Sequence, residues 1–418
     1  MAWVTAEHPT RSELSACVQC GLCLPHCPTF RLTGKETASP RGRLSAMSAV
    51  QDGIVQVDRP FVEIIDFCLG CRACEPVCPG MVPYGRALEG TRAEIVAQRP
   101  SLSHRIRGFL LGPVLGSRMA LGIGTVFLSL LQRLRLTRLV PGRFRRLTGG
   151  MRSLRGRPAR VAGTSAGPVG GEVIGLLTGC VQDQWFRQTN EAAVALLTRA
   201  GYRVEAPSAQ TCCGALAAHD GKAGQARRLA AKNVAAFGEV EHLVATAAGC
   251  SAHLAGYGHW ADDGGAIAER SEDITVLIAR AIEEGRLPRL PGGRGPIGVQ
   301  DPCHLRHAQR VTAEPRAIVE AAGYEVVEID PRGLCCGAAG LYTVLQPEAS
   351  RELGNQKADQ IRSTGVNKVA TANPGCEMQM RSATDGDVQF AHPIEWYLDA
   401  LAQSESAVTS SPVESSVD

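Results

Sequence analysis

Cys17-x2-Cys20-x2-Cys23-x3-Cys27-Pro28 is followed by a second copy of the same spacing, Cys68-x2-Cys71-x2-Cys74-x3-Cys78-Pro79. Eight thiols at fixed spacing restrict the fold severely, because the chain must aim all of them at inorganic centres. A [4Fe–4S] cubane takes four thiolates. In this spacing three close cysteines wrap one cubane, and the fourth, ahead of proline, ligates the other. The pattern predicts one cluster on Cys17, Cys20, Cys23 and Cys78, and a second on Cys27, Cys68, Cys71 and Cys74. Zinc is the competing reading, but its sites pair two Cys-x2-4-Cys knuckles, or one knuckle with histidines. A third cysteine at the same spacing, a Cys-Pro and a complete second copy favour iron, and with it an electron carrier.

The chain has 418 residues, enough for two or three domains. Its N-terminus, Met1-Ala-Trp-Val-Thr-Ala-Glu-His-Pro, lacks the basic stretch and apolar core of a secretion signal. Sixteen cysteines in such a chain read as metal ligands in a reducing, cytoplasmic setting rather than as disulfides.

Charge is unevenly placed. No Asp or Glu lies between Glu94 and Glu172, whereas fourteen arginines run from Arg99 to Arg160. Subtracting these fourteen from the net +3 leaves −11 on the remainder. The segment is expected either to meet an anionic partner such as lipid headgroups or to be a solvated linker between acidic domains. It is also apolar, with Phe109-Leu-Leu-Gly-Pro-Val-Leu-Gly and Leu121-Gly-Ile-Gly-Thr-Val-Phe-Leu-Ser-Leu-Leu. Only fourteen residues separate Arg118 from Arg133, short of the ~20 that a spanning helix needs. A basic amphipathic helix on a membrane or a partner subunit is the expectation. Nothing in the chain points to nucleic acid.

The expected domains are a helical ferredoxin-like unit at 10–98, an arginine-rich amphipathic linker at 99–170, two repeated units at 171–290 and 291–403, and a disordered tail at 404–418. In the first unit, Ser39-Pro40-Arg41-Gly42-Arg43-Leu44 and Arg59-Pro60-Phe61 through Phe67 read as helices, proline being suited to a first turn. The repeat is plain in the motifs. The first copy carries Leu177-Thr-Gly-Cys180, Ala200-Gly-Tyr202, Cys212-Cys213-Gly214 and Ala248-Gly-Cys250. The second carries Gln300-Asp-Pro-Cys303, Ala322-Gly-Tyr324, Cys335-Cys336-Gly337 and Pro374-Gly-Cys376. Thirty-one residues separate the first cysteine from the Cys-Cys pair in both copies. Short β-like runs alternate with helical ones, which predicts a parallel sheet with helices on its faces. The fold class is therefore α/β with an all-α N-terminal part.

Each copy gathers four thiols: Cys180, Cys212, Cys213 and Cys250, then Cys303, Cys335, Cys336 and Cys376. The cysteines fall at strand ends, the edge where ligands gather in open α/β sheets. They are candidate ligands of one or two further clusters; structural thiols or vestiges of an ancestral site are the alternative. Gly214 and Gly337 are expected to take the positive φ of a sharp turn, and Gly249 and Gly375 to serve the same need. His304, beside Cys303, reads as a core residue, with ligand or proton carrier as alternatives.

These motifs, with Ser39-Pro-Arg-Gly-Arg43, resemble the glycolate oxidase iron–sulfur subunit family over residues 12 to about 400. The Cys-Cys-Gly units, with Asp301-Pro-Cys303-His304-Leu305, are also similar to those of heterodisulfide reductase. The resemblance implies a subunit working beside FAD-binding oxidase subunits, which oxidise glycolate or a related 2-hydroxy acid. Electrons would cross the clusters to a quinone or another acceptor, and no catalytic residue is implied in this chain. Two alternatives share the architecture: the iron–sulfur subunit of anaerobic glycerol-3-phosphate dehydrogenase and a thiol–disulfide oxidoreductase. The disulfide-reducing relatives close each motif with Cys-x2-Cys. Here those positions read Cys250-Ser-Ala-His253 and Cys376-Glu-Met-Gln379, so the fifth thiolate is absent from both copies.

Overall fold

The computed structural model describes residues 3–136, 148–154, 161–238 and 240–410. Seven of the fourteen arginines in the basic run, and the end of the expected tail, lie outside these residues.

The N-terminal unit is helical, with helices Arg11–Ser15, Pro28–Thr33, Pro40–Gln51, Arg59–Asp66 and Tyr84–Gln98. Both expected helix starts are capped. Ser39 accepts from the Gly42 N–H ahead of Pro40, and Asp58 accepts from the Phe61 N–H beside Pro60, each satisfying a donor with no partner inside the helix. Met47, Phe61, Ile65, Leu88 and Ile95 form the core under the cysteine loops.

Residues 99–170 are more than a linker. Helix Leu102–Phe109 runs into a wide turn at Leu110–Val114, and helix Arg118–Arg133 follows. The two arms meet at 103°, and no single described helix is long and apolar enough to cross a membrane. Strand β1 (Thr164–Ala166) then adds an antiparallel edge to the first sheet.

The first copy contributes β2 (Val173–Leu177), β3 (Arg203–Ala206), β4 (His242–Ala245) and β5 (Ser271–Asp273), in the order β1-β3-β2-β4-β5. The second contributes β6 (Pro296–Gln300), β7 (Glu325–Glu328), β8 (Lys368–Thr371) and β9 (Gln389–Ala391), in the matching order β7-β6-β8-β9, all parallel. The central strands are apolar on both faces, as helices on either side require.

The copies clasp each other. Helix Arg187–Arg199, after β2, packs on the final helix Pro393–Ser410, while helix Ala313–Ala321, after β6, packs on helix Ile274–Glu283. Leu196, Leu277, Ile318 and Tyr397 share one core across the two units. The last helix extends through 404–410, where the sequence led us to expect the start of a disordered tail. Arg294 donates to Ser404 and Arg199 pairs with Glu405, and these tertiary contacts hold the extension.

Candidate iron–sulfur sites

The first cysteine loop is folded by two left-handed residues, Gln19 (φ 58°) and Gly21 (φ 82°). Arg41 pins it by donating to the Gln19 carbonyl at 3.0 Å, and is itself held by Glu36 at 2.7 Å. A Cβ on Gly80 would lie 2.2 Å from the Ala16 carbonyl oxygen, so the missing side chain lets the Cys78 segment close on this loop. Cys17, Cys20, Cys23 and Cys78 line one small cavity with Leu44, Val82 and Tyr84, and Cys74 forms part of the same wall. Cys20 is the one exposed cysteine of the sixteen.

The second loop is deeper and is built around Arg43, which is fully buried on the helix that Ser39 caps. Its guanidinium donates to the carbonyls of Ile64 (2.9 Å) and Ala38 (2.9 Å) and to Thr29 Oγ1 (3.1 Å). Cys27 Sγ lies 3.3 Å from that same Thr29 oxygen. Cys68 Sγ accepts from the Gly70 N–H (3.4 Å) and the Tyr84 hydroxyl (3.5 Å). Burial opposes the charge on Arg43, but Cys68, Tyr84 and Cys27 outweigh it and raise its pKa. Burial likewise pushes the Cys68 thiol up, yet the Arg43 and Arg92 cations and its two hydrogen bonds pull it below the ordinary thiol value. Burial pushes the Cys71 and Cys74 thiols well up.

The two quartets of the repeated units converge. Cys180 follows β2 and Cys303 follows β6, at the carboxyl ends of the central strands. Gly214 (φ 97°) and Gly337 (φ 86°) turn the chain after each Cys-Cys pair, as expected. Gly249 and Gly375 do not: both sit in the first turn of a helix, Ala248–Leu254 and Pro374–Ala383, with ordinary space around them. The preceding loops bind each other. The Ala248 N–H donates to the Ala372 carbonyl (3.0 Å), and the Gly249 N–H to Asn373 Oδ1 (3.4 Å). This link brings both helices that carry the last cysteines to one place. All eight thiols, with Cys68 and Cys71, line a single cavity of about 450 Å³.

Within it Cys180 and Cys212 lie 3.4 Å apart, and Cys213 and Cys250 3.2 Å. These are contacts of free thiols, far beyond a disulfide bond of ~2.05 Å. The two Cys-Cys turns are supported differently. Tyr257 and Asn233 donate to the Cys213 and Cys212 carbonyls (2.7 and 3.0 Å) in the first copy. In the second, a buried Lys357–Asp330 pair (2.7 Å) lies under the turn, and Asp330 also accepts from the Leu334 N–H. Hydrogen bonds from Cys335 and Cys376 hold the Cys336 thiol well below its ordinary pKa, and Lys357 adds to them. In the first copy, thiol contacts and burial leave Cys180, Cys212 and Cys213 raised. Among the described residues no three His, Cys, Asp or Glu side chains converge on a single-ion position. The quartets instead face open space with soft sulfur donors, a set that suits iron–sulfur clusters.

Cys71, Cys303 and Cys335 belong to one apolar cluster with Leu69, Tyr342 and Leu353, so the ferredoxin-like unit and the second copy meet at their cysteines. Arg92 joins them to the first copy, donating to the Cys68 carbonyl (2.6 Å) and the His219 carbonyl (2.9 Å). His304 lines the cavity and stacks on His219 (5.3 Å between centroids), and burial lowers its pKa to about 3. Its Nε2 is shielded and has no hydrogen-bond partner among the described residues. His219 in turn meets Glu89 at 2.7 Å. Arg92, His219 and Glu89 carried no signal of this role in the sequence, since no motif there includes them, and Arg43 stood out only as the end of Ser39-Pro-Arg-Gly-Arg43. The positions lacking a fifth thiol are filled by packing groups: His253 against Tyr257 and Trp260, and Gln379 donating to the Ser350 carbonyl (2.8 Å).

A helical double cysteine quartet joined to a pair of α/β units with Cys-Cys turns defines an iron–sulfur electron-transfer protein. Comparison with known proteins agrees. Residues 13–82 match the 4Fe-4S dicluster domain, and 174–255 and 297–381 each match the Cysteine-rich domain. The chain is 32% identical to the probable glycolate oxidase iron-sulfur subunit of Bacillus subtilis, over 96% of this chain and 97% of that one. It is 30% identical to the glycolate oxidase iron-sulfur subunit of Escherichia coli, over 93% and 95%. One of the subunits of the fumarate reductase (CoM/CoB) of Methanothermobacter marburgensis is 25% identical over 93% and 73%. The chain belongs to the glycolate oxidase iron–sulfur subunit family.

Proposed function

We propose that this protein is the iron–sulfur subunit of a flavin-dependent glycolate, or related 2-hydroxy-acid, dehydrogenase complex. Substrate oxidation belongs to partner subunits that bind FAD, and this chain conducts the electrons. The observation that carries the reading is near-full-length likeness to two glycolate oxidase iron–sulfur subunits, with every cysteine of the double quartet in place. Cys17, Cys20, Cys23 and Cys78 would hold one [4Fe–4S] cluster, and Cys27, Cys68, Cys71 and Cys74 the other. Arg43, a cation coupled to both Cys27 and Cys68, supports the crossed ligation. The quartets Cys180/212/213/250 and Cys303/335/336/376 would hold one or two more. Each such cluster carries one electron at a time, which matches a two-electron flavin to a relay.

The residues of this chain prepare the path. Arg43 and Arg92 offset negative charge at Cys68, Lys357 does so at Cys336, and the cluster of Leu69, Tyr342 and Leu353 keeps water from the Cys71–Cys303 gap. The acceptor would be a quinone or another carrier, with the protein on the cytoplasmic face of a membrane. Iron and acid-labile sulfide on anaerobically purified protein test this. About eight irons per chain would load the N-terminal pair alone, and about twelve or sixteen would add the repeated units. Co-purification supplies the second test. Capture of a flavoprotein that oxidises glycerol 3-phosphate but not glycolate would overturn the substrate assignment.

A further inference from the structure

Helices that pack on a soluble protein turn apolar residues inward. The pair Leu102–Phe109 and Arg118–Arg133 does the reverse. In the second helix the buried face is Leu121, Gly122, Thr125 and Ser129. Thr125 accepts from Trp185 Nε1 (3.1 Å), and Ser129 donates to the Leu154 carbonyl (3.3 Å). The outer face carries Met119 (76% exposed), Ile123 (65%) and Phe127 (63%). These recur at the four-residue step that makes a continuous stripe. The first helix repeats the inversion. Gly108 is buried, and Arg107 turns to the protein to pair with Asp220 at 2.6 Å. Leu102, Ile106, Phe109 and Leu110 face out.

Charge selects the medium that covers this face. No acid lies between Glu94 and Glu172, and the exposed Arg99, Arg105, Arg133 and Arg135 flank the two stripes. Arg105 is one turn from Leu102 and Phe109, where its stem can lie along apolar surface while the guanidinium reaches phosphate. An apolar stripe edged by cations and by no acid is the pattern of a helix lying in the interface of an anionic bilayer. The 103° bend and the helix lengths fit a shallow wedge.

We infer that the bent pair Leu102–Arg133 is a monotopic membrane anchor. It inserts Leu102, Ile106, Phe109, Met119, Ile123 and Phe127 among acyl chains, and its arginines bind anionic headgroups. This rests on the electron-transfer reading only for its purpose, since Leu110 both faces outward and lines the cysteine-lined cavity. The docked face is therefore the side from which a lipid-soluble electron acceptor reaches that cavity.

The test is flotation of the full-length, iron-loaded chain with vesicles of phosphatidylcholine alone, or with about one third phosphatidylglycerol. Binding to the anionic vesicles is expected, at least tenfold above the neutral ones. Ile123→Ser/Phe127→Ser should lower it at least tenfold with iron content unchanged, because both side chains are outside the packed face. A wild-type chain that does not float with anionic vesicles would overturn the anchor. So would a double variant that floats as well as wild type, or one that loses capture of a flavoprotein while vesicle binding is absent throughout. In each case intact iron and dye reduction by the assembled complex would leave the electron-transfer reading standing.

Discussion

Arg43 offers the sharpest test of the ligand assignment, because one buried cation is shared by cysteines forty residues apart. The legs from Arg43 Nη2 to Thr29 Oγ1 (3.1 Å) and from there to Cys27 Sγ (3.3 Å) place the guanidinium within about 6.4 Å of that sulfur. At an effective dielectric of ~20, a unit charge ~6 Å away contributes about 2.8 kcal/mol. For a one-electron couple, at ~59 mV per 1.4 kcal/mol, that is roughly 120 mV. Adding an electron is favoured by a nearby cation, so Arg43→Met should make the second cluster harder to reduce by about that amount. Arg43→Lys, which keeps a charge but cannot reach all three acceptors, should shift it by less than half as much. EPR-monitored redox titration of the anaerobic protein reads both variants. Of the signals from the loaded clusters, only the one assigned to Cys27, Cys68, Cys71 and Cys74 is expected to move. Full iron retention with no signal shifted by more than ~20 mV would refute the shared-cation argument.

Cys20→Ser and Cys71→Ser should each lower iron content and stop electron delivery to an external acceptor, measured by iron analysis and dye reduction; unchanged values would remove these cysteines from the ligand sets. Lys357→Met leaves the Asp330 carboxylate buried without its cation, at a cost of ~3 kcal/mol or more, or a fall of ~6–12 °C in thermal midpoint. Asp330 sits below its ordinary pKa because Lys357 outweighs burial, so the pair stabilises at neutral pH, and that contribution disappears as pH falls through the depressed value. Arg152→Met should cost ~3–5 kcal/mol at neutral pH, since Arg152 bridges buried Glu377 (2.6 Å) and Glu395 (2.8 Å). Burial already pushes Glu377 up, with Arg152 opposing it. In the variant its pKa rises further above the unfolded value, so thermal midpoints should converge with wild type as pH falls through the ordinary glutamate range and diverge as pH rises. A difference that does not change with pH would show that Glu377 stays ionised.

The same bridge qualifies what the arginine-rich stretch means. Arg107 and Arg152 were indistinguishable in sequence from their neighbours, yet one is spent on Asp220 and the other on Glu377 and Glu395. A charge run fixes only a sum. Whether each member faces solvent, lipid or a buried acid depends on groups more than a hundred residues away.

Local rules carried the sequence reading far. The proline-led helices after Ser39 and Asp58, the turns after the paired Cys-Cys-Gly motifs and the strand–helix alternation act over short stretches of chain, and they stand in the fold as read. The glycines beside Cys250 and Cys376 failed because a helix N-terminus, not a left-handed turn, presents those cysteines. Convergence lay beyond such rules. The Ala248–Ala372 hydrogen bond, the packing of helices of one copy on those of the other and the Arg92 bridge join segments with no common period, so only packing could bring ten thiols to one cavity. The helix pair at 102–133 makes the same point in reverse. Its apolar content was plain, but which face would be buried was not, because Thr125 and Ser129 could turn inward only where Trp185 and the Leu154 carbonyl waited to satisfy them. Sequence determined which thiols are spaced as candidate cluster ligands and which segments are apolar. Tertiary structure decided where those thiols meet and which apolar surface is left for another phase.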